Sequence, residues 1–484
     1  MVAVPTQEAI KVEPTGLAEF LDAYRRDYPA EVVHVTRPVD RRHELTAVLA
    51  RLEREQKFPV VVFERVTDGG AELELPVVSL LMSSRLRMAR ALGTTVEQAG
   101  VRCFDGMQQR REPVRVERHE APVKQVVQLG DAIDVTRLPA PVYHAMDPGP
   151  YISAGFLTTY HPDLGVPNSA LHRGWLRGPR DIGVYMVPST HNAHIYRLYE
   201  RQGQDMPAAY WIGHHPLVEL GCQAHVALED SHFATAGGLL GQPLRMVPSE
   251  TLGDDFLVPA DAEIVIEGYI PAGEREAEGP FGEYTRYVGP QRWNPRLRVT
   301  AITQRRNAVW DDLLVGHTHW LGALAKEGAT FAHVKRAVPT LVNVHLPMSG
   351  GGAFHVYMQI RNTVKGLSKT ALLAALTADF SIKHAFVFDE DVDIFDERQV
   401  LLALATRFQG DQDLVVVPGI NGPTLDPSGP DSGGCKVGFD CTKPFGDTNF
   451  APRLAVPPDV LERVNLADWI PDEARARIPQ EPWG

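Results

Sequence analysis

Ile264-Val265-Ile266-Glu267-Gly268-Tyr269-Ile270, leading into Glu278-Gly279-Pro280-Phe281-Gly282-Glu283, holds the pattern from which the fold is read. Ile264, Ile266 and Gly268 alternate with more polar neighbours, the two-residue period of a strand. Leu297, Val299 and Ala301 repeat the alternation. Strand signals dominate from about Ala121 to Arg305, between long Gly/Pro loops of the kind that carry function in compact domains. Within this β-rich section Glu278 and Glu283 bracket a Gly-Pro-Phe-Gly turn. Such a turn can fold the chain back and bring both acids to one site. Two carboxylates in a poorly hydrated pocket cannot both ionise cheaply, so one proton is retained near neutral pH, which is how a general acid is made. From spacing alone a solvated acidic loop is the commoner outcome.

Upstream, Leu45, Val48, Leu49 and Leu52 recur at helical spacing between Glu44 and Arg54, the stripe of an amphipathic helix. Val60 to Phe63 reads as a buried strand and Ser84 to Leu92 as a basic helix ended by Gly93, so the amino-terminal segment is a small α/β unit. Gln108 to Pro122, polar and aperiodic, is expected to be a linker. In the last third, strands are expected at Val342 to Leu346 and His355 to Ile360, followed by a helix that Ser368 is placed to cap. Ala385 to Phe388 is a short strand, Asp396 and Gln399 have capping-box spacing for a helix to about Arg407, and Leu414 to Val417 is the next strand of a βαβ pattern. The acidic run Asp389-Glu390-Asp391-Val392-Asp393 lies at a strand's carboxyl end. Solvated helix-start charges are more expected there than a metal site.

At 484 residues the chain exceeds one ordinary hydrophobic core, so roughly two or three domains are expected. A net charge of -13 argues against nucleic acid or an anionic membrane as partner, so an anionic ligand must meet a local positive site. No run is apolar enough to span a bilayer and Met1 to Glu13 lacks a secretory apolar core, so a cytoplasmic protein is expected. Cys103, Cys222, Cys435 and Cys441 are scattered without a Cys-x-x-Cys pair and read as incidental thiols.

The context for the two glutamates is Pro167-Asn168-Ser169-Ala170-Leu171-His172-Arg173, which supplies a neutral oxygen ligand and a guanidinium. Arg173 can pair with a substrate carboxylate bidentately and hold Glu278 ionised, or make a structural ion pair. His191, His194, His214, His215, His225 and His232 follow at a density that points to a site, although their spacing fits no standard zinc motif.

Asp134-Val135-Thr136-Arg137-Leu138-Pro139, Gly149-Pro150-Tyr151-Ile152, the Asn168 to Arg173 segment, Glu267-Gly268-Tyr269, Glu278 to Glu283 and Asp389 to Asp393 occur in the order seen in UbiD-type decarboxylases. The chain resembles that family over nearly its whole length, from Arg37-Pro38-Val39-Asp40 to Ser432-Gly433-Gly434-Cys435-Lys436. The resemblance implies a multidomain α+β and α/β fold. An N-terminal α/β domain (1–115) and a C-terminal α/β domain (323–455) would flank a central split β-barrel flavin-binding domain (116–322), with a tail (456–484) making oligomer contacts. It implies prenylated flavin mononucleotide (prenylated FMN), a divalent metal, usually manganese (Mn2+), and often potassium. It further implies a flavin prenyltransferase as cofactor supplier, a small-molecule carboxylic acid as substrate, and a homodimer or higher homo-oligomer.

Carried over residue by residue, the resemblance makes Arg173, Glu278 and Glu283 the catalytic set. It gives Asn168, Ser169, Ala170, Leu171, His172, Arg173 and His191 to the cofactor, and Asn168, His191 and His232 to the metal. His232, in Asp230-Ser231-His232-Phe233-Ala234, stands where the family has a glutamate, and Glu229 is the alternative third ligand. A histidine suits manganese but offers nitrogen where potassium wants oxygen, which counts against potassium. The implied reaction is non-oxidative, reversible decarboxylation of an α,β-unsaturated or (hetero)aromatic carboxylic acid, and the natural-product tailoring members are the nearest likeness. Arg173 would orient the carboxylate, Glu278 tune the arginine and Glu283 protonate the carbon. The rival readings are a flavin oxidoreductase on unmodified FMN and a catalytically silent flavin-binding protein. Gly316-His317-Thr318-His319-Trp320 and Met348-Ser349-Gly350-Gly351-Gly352 are expected pocket walls, beside an interdomain cleft whose opening gates access.

Overall fold

A computed structural model of the chain describes residues 13, 15–423, 425–429, 434–447 and 449–478. It divides into a large unit, Met1–Thr442, and a small one, Lys443–Gly484. The centre of the large unit is an antiparallel sheet in the order Pro167–Leu171, Gly155–Tyr160, Met206–Ile212, Ile264–Ile270, Arg296–Gln304, Asp181–Val184, Gly174–Gly178, Tyr151–Ile152, with Val126–Leu129 added beside Arg296–Gln304. The expected strands around Ile264 and Leu297 are therefore neighbours, paired Ile264 to Gln304 through Tyr269 to Arg298.

The alternation does not mark one solvent face: the sheet is buried on both faces. Ile264, Ile266, Ala208 and Tyr210 enter one core, while Val265, Ala209, Trp211 and Phe156 enter another. Each fully buried Ile or Val side chain contributes about 1.5–3 kcal/mol, so two apolar faces fix the register of these strands more firmly than one. Glu267, the polar break in the run, is also fully buried. It is satisfied by the amides of Glu250 and Thr251 and by the Thr251 hydroxyl.

The amino-terminal helix Glu44–Arg54 and strand Val60–Phe63 fall where the sequence places them. The basic helix spans Arg85–Ala91, with the Ser84 hydroxyl accepting from Arg87 N at 3.2 Å. Gln108 to Pro122 is not a free linker, because Val114–Arg115 pairs parallel with Arg245–Pro248. The amino-terminal sheet also borrows Trp310–Asp312 from the β-rich section, giving the order Val32–Val35, Val60–Phe63, Val77–Ser79, Trp310–Asp312.

In the last third the sheet order is Leu341–His345, His355–Ile360, His384–Asp389, Gly434–Asp440, Leu414–Ile420. The βαβ expectation fails by one strand: Gly434–Asp440 lies parallel to His384–Asp389, and Leu414–Ile420 is an antiparallel edge. Ser368 is not the cap of its helix. Gly366 holds that position at φ +85° and Ser368 lies within Leu367–Ala378, its hydroxyl donating to Asp440. Asp396 does cap Glu397–Arg407, accepting from Arg398 N at 3.0 Å. In the acidic run, Arg407 binds Asp389 at 3.2 Å and Asp391 at 2.8 Å, so an ion-pair network occupies these carboxylates. Of the Ser432 to Lys436 motif, Ser432 and Gly433 lie outside the described residues. In the small unit the short helices Pro458–Arg463, Leu466–Trp469 and Asp472–Arg475 carry exposed Leu461 and Trp469. No helix among the described residues is long and apolar enough to cross a membrane.

Candidate active site

Arg173 follows the Pro167–Leu171 strand and precedes Gly174–Gly178, which places its side chain against the acid turn. Glu278 ends the strand Glu276–Glu278, paired with Arg292–Asn294, and Glu283 follows Phe281–Gly282, paired with Val288–Gly289. Between them Gly279 adopts φ +85° and the Gly279-Pro280 peptide is cis. The turn returns the chain so that both carboxylates meet one guanidinium. Arg173 Nε and Nη2 donate to the two oxygens of Glu278 at 2.9 Å each, and Nη1 donates to Glu283 Oε1 at 2.6 Å. The guanidinium carbon lies 4.0 Å from the Tyr185 ring centre and 5.1 Å from that of Phe281, cation–π contacts that favour its charge in a buried setting. Tyr151 Oη donates to Glu278 Oε1 at 3.2 Å and Asn294 Nδ2 donates to Oε2 at 3.4 Å.

This division separates the two acids chemically. Glu278 takes both arms of a bidentate pair with two further donors. Glu283 has a single guanidinium contact. Burial pushes its pKa above the usual range, against the pull of Arg173 and with the help of the neighbouring Glu278 charge. Burial works against the Arg173 charge as well, but Glu278 and Glu283 together hold its pKa above the ordinary value. The site can therefore keep a permanent cation beside a carboxyl poised to retain a proton.

Asn168, His191 and His232 belong to elements that pack together. The helices His191–Arg201 and His232–Leu240 both pack on the strand bearing Asn168. Each histidine is the first residue of its helix, behind the caps Thr190 and Ser231. Asn168 Nδ2 donates to Asn192 Oδ1 at 2.6 Å, and Thr159 Oγ1 donates to the same oxygen at 2.8 Å. Asn192 thereby orients the Asn168 amide and leaves its oxygen for another partner. His232 is buried with Nδ1 unpartnered. Burial and then the nearby His191 lower its pKa to about 4, so the imidazole is neutral and has no proton to displace at pH 7. Among the described residues no three His, Cys, Asp or Glu side chains gather as a metal site. Glu229 acts on His191, whose pKa burial lowers and Glu229 raises.

Ser169 turns into the core, accepting from Trp211 Nε1 at 2.9 Å and Thr158 Oγ1 at 3.0 Å. Ala170 and Leu171 are half-buried at the end of the strand. His172 places Nδ1 2.9 Å from Tyr185 O and leaves Nε2 buried without a partner. His194, His214, His215 and His225 play no part in the Arg173 cluster, and burial lowers the His214 pKa to about 3 and that of His215 to about 4. The expected pocket walls flank the acid turn. A Cβ at Gly316 would lie 3.2 Å from Glu283 O, and one at Gly351 would lie 3.3 Å from Tyr284 O. Sequence reasoning missed Tyr185, Asn192 and Asn294. Asn192 adjoins a singled-out histidine, but nothing local marks Tyr185 or Asn294.

Three successive parts of the chain match domain descriptions of one family. Residues 25–105 match the 3-octaprenyl-4-hydroxybenzoate carboxy-lyase N-terminal domain, 114–318 its Rift-related domain and 319–441 its C-terminal domain. An anhydromevalonate phosphate decarboxylase from Methanothermobacter thermautotrophicus is 31% identical over 413 residues, 84% of this chain and 93% of that protein. A gallate decarboxylase from Lactiplantibacillus plantarum is 28% identical over 86% of this chain and 89% of that protein. The UbiD-class enzyme HmfF from Pelotomaculum thermopropionicum, solved in complex with FMN, superimposes with a TM-score of 0.88 at 36% identity, covering 94% of this chain and 100% of that one. With its three domains matched in order and its length shared with named decarboxylases, the chain belongs to the UbiD family of carboxy-lyases.

Proposed function

We propose that the chain removes CO2 without oxidation from an α,β-unsaturated or (hetero)aromatic carboxylic acid on prenylated FMN, with the central antiparallel sheet as a split barrel holding the flavin. The observation that carries this is the unequal sharing of Arg173, two bonds to Glu278 and one to Glu283, beside a raised Glu283 pKa. Losing CO2 from an sp2 carbon leaves an electron pair that no side chain can delocalise, and the chemistry prenylated FMN supplies when bound is to accept it. Arg173 orients the substrate carboxylate and is itself held by Glu278. The C–C bond breaks, CO2 leaves, and the carbon takes a proton from the Glu283 carboxyl, which then recovers one from solvent.

The donor set, an oriented amide oxygen and two neutral imidazoles, one with an orphaned buried nitrogen, would hold a divalent ion, whose charge would offset that of the flavin phosphate. We assign Asn168, His191 and His232 to that ion, with manganese as the metal that the family likeness implies. The two histidine-bearing helix starts also favour phosphate through their unpaired amides. Imidazole nitrogen disfavours potassium there. A flavin prenyltransferase would supply the cofactor, and a homo-oligomer would bury the apolar side chains exposed on 456–478.

The test is the chain co-expressed with a flavin prenyltransferase, assayed on gallate, 3,4-dihydroxybenzoate, vanillate, cinnamate and anhydromevalonate phosphate. CO2 release that needs the prenylated cofactor, with no nicotinamide consumed, is expected. Turnover on plain FMN, or nicotinamide oxidation matched to product, would contradict it.

A further inference from the structure

Behind the acid turn lies a second set of polar groups that the proposed reaction leaves unused. Glu53, in the last turn of the Glu44–Arg54 helix, is 8% exposed. Its Oε1 accepts from Arg286 Nη2 at 3.0 Å, Thr318 N at 2.8 Å and Thr318 Oγ1 at 2.7 Å, while His317 Nδ1 contacts Oε2. Against the effect of burial, the His317 and Thr318 contacts draw the Glu53 pKa down to about 2, so the acceptor is ionised at any working pH.

The partners of Glu53 converge on the short hairpin that carries Glu283. Arg286 lies in its turn, closed by Arg286 N to Glu283 O at 2.9 Å and Glu283 N to Tyr287 O at 3.0 Å. Arg286 adopts φ +65°, a left-handed conformation that a side chain keeps only where its surroundings hold it. His317 stacks on His144, with ring centres 6.1 Å apart and planes 5° apart. The His144 ring fills the space over Gly282, where a Cβ would come within 2.9 Å of it. Strand alternation turns Phe281 and Glu283 toward Arg173 and Gly282 to the opposite side, so His144 backs the strand. Gly316, next to His317, abuts Glu283 O. At the other end of the helix, His43 N donates to Val142 O at 2.9 Å and His43 Nε2 lies 3.2 Å from His144 O.

We propose that Glu53 is a positioning residue for Glu283: one buried carboxylate of the amino-terminal helix clamps both the Arg286 turn and the His317–Thr318 loop, and so fixes where the proton donor stands against Arg173. The inference rests on the reading of Glu283 as donor. Glu53 touches neither substrate nor cofactor and acts only through the hairpin. Misplacing a reacting group by about 1 Å costs on the order of 100-fold in rate, so a clamp on the far side of the strand is sufficient to matter.

The test uses the full-length, flavin-loaded chain with Glu53→Gln, Arg286→Met, Arg286→Lys and Glu283→Gln. Amide hydrogen exchange over 281–289 should be about tenfold faster in Glu53→Gln and Arg286→Met, with exchange in the Met206–Ile212 strand unchanged. Turnover per bound flavin, on whichever acid of the panel the wild-type chain uses, should fall about 100-fold in kcat with KM within about twofold. Arg286→Lys should restore most of both losses. Unchanged exchange over 281–289 would overturn the clamp, as would full kcat in Glu53→Gln while Glu283→Gln is inactive. Full activity in Glu283→Gln would instead overturn the donor reading, and the exchange data would still decide whether Glu53 holds the hairpin.

Discussion

In the proposed reaction a single guanidinium serves two carboxylates that do different work. Arg173 gives Glu278 a bidentate pair and Glu283 one bond, and that difference separates an ion-pair anchor from an acid. Glu278→Gln should misplace Arg173 and lower turnover, with flavin content read from the absorbance spectrum falling or holding but never rising. Gly282→Ala is the sharper probe, because the new Cβ would meet the His144 ring at 2.9 Å and displace the strand just before Glu283. A kcat loss of about 100-fold with KM little changed is expected in steady-state assays normalised to flavin. Wild-type kcat would mean that the ring yields and the strand does not. The sequence shows Glu278 and Glu283 as a pair because a Gly-Pro-Phe-Gly turn is a local signal. Tyr185, which covers the guanidinium, is brought there by strand pairing and could not be read from its neighbours.

Among the helices, one with a single buried face was legible and one buried on several sides was not. Glu44–Arg54 shows its stripe because Leu45 and Leu49 face the core while Glu44, Arg51 and Arg54 face solvent. Leu321–Ala337 buries Leu321, Leu324, Ala325, Glu327, Gly328 and Thr330, so no stripe marks it. Its Glu327 binds Arg85 bidentately, at 2.5 and 3.1 Å, and His345 at 3.1 Å, tying the helix Arg85–Ala91 to the strand Leu341–His345. Although burial opposes the charge, Arg85 and His345 draw the Glu327 pKa from 4.5 down to about 2. A carboxylate with a depressed folded pKa stabilises the fold above pH 4.5, and that contribution is lost as the pH falls from 4.5 toward 2. Glu327→Ala strands a buried arginine and should cost about 3–5 kcal/mol by chemical denaturation at pH 7. A loss under 1 kcal/mol would show that water satisfies Arg85. The helices that begin at His191 and His232 both pack on the Asn168 strand, and on the proposed assignment His232→Ala should lower manganese and flavin content together on metal analysis and absorbance. Unchanged content of both removes His232 from the site.

Across the whole molecule the acid site is assembled from distant stretches of chain: Arg173 from one strand end, the two glutamates from a turn, and Glu53 with the His317 loop behind them. Of these, Arg173 and the two glutamates were readable from the family likeness, while Glu53 and the His317 loop were not part of it. The joining of these stretches was not readable, because it depends on pairings such as Trp310–Asp312 against Val77–Ser79, which leave no local trace. Because the Glu283 pKa is raised and the proposed donor role requires its protonated form, turnover should decline as pH rises through that pKa, giving an alkaline limb that Glu283→Gln abolishes with the activity. Positioned acid catalysis is worth about 100- to 10,000-fold. The central claim is tested most directly by running wild type and Glu283→Gln, matched for flavin, in heavy water while following CO2 release and deuterium at the product carbon. The account predicts that both signals fall together by at least about 100-fold in the variant. Wild-type rates of both in Glu283→Gln would contradict it.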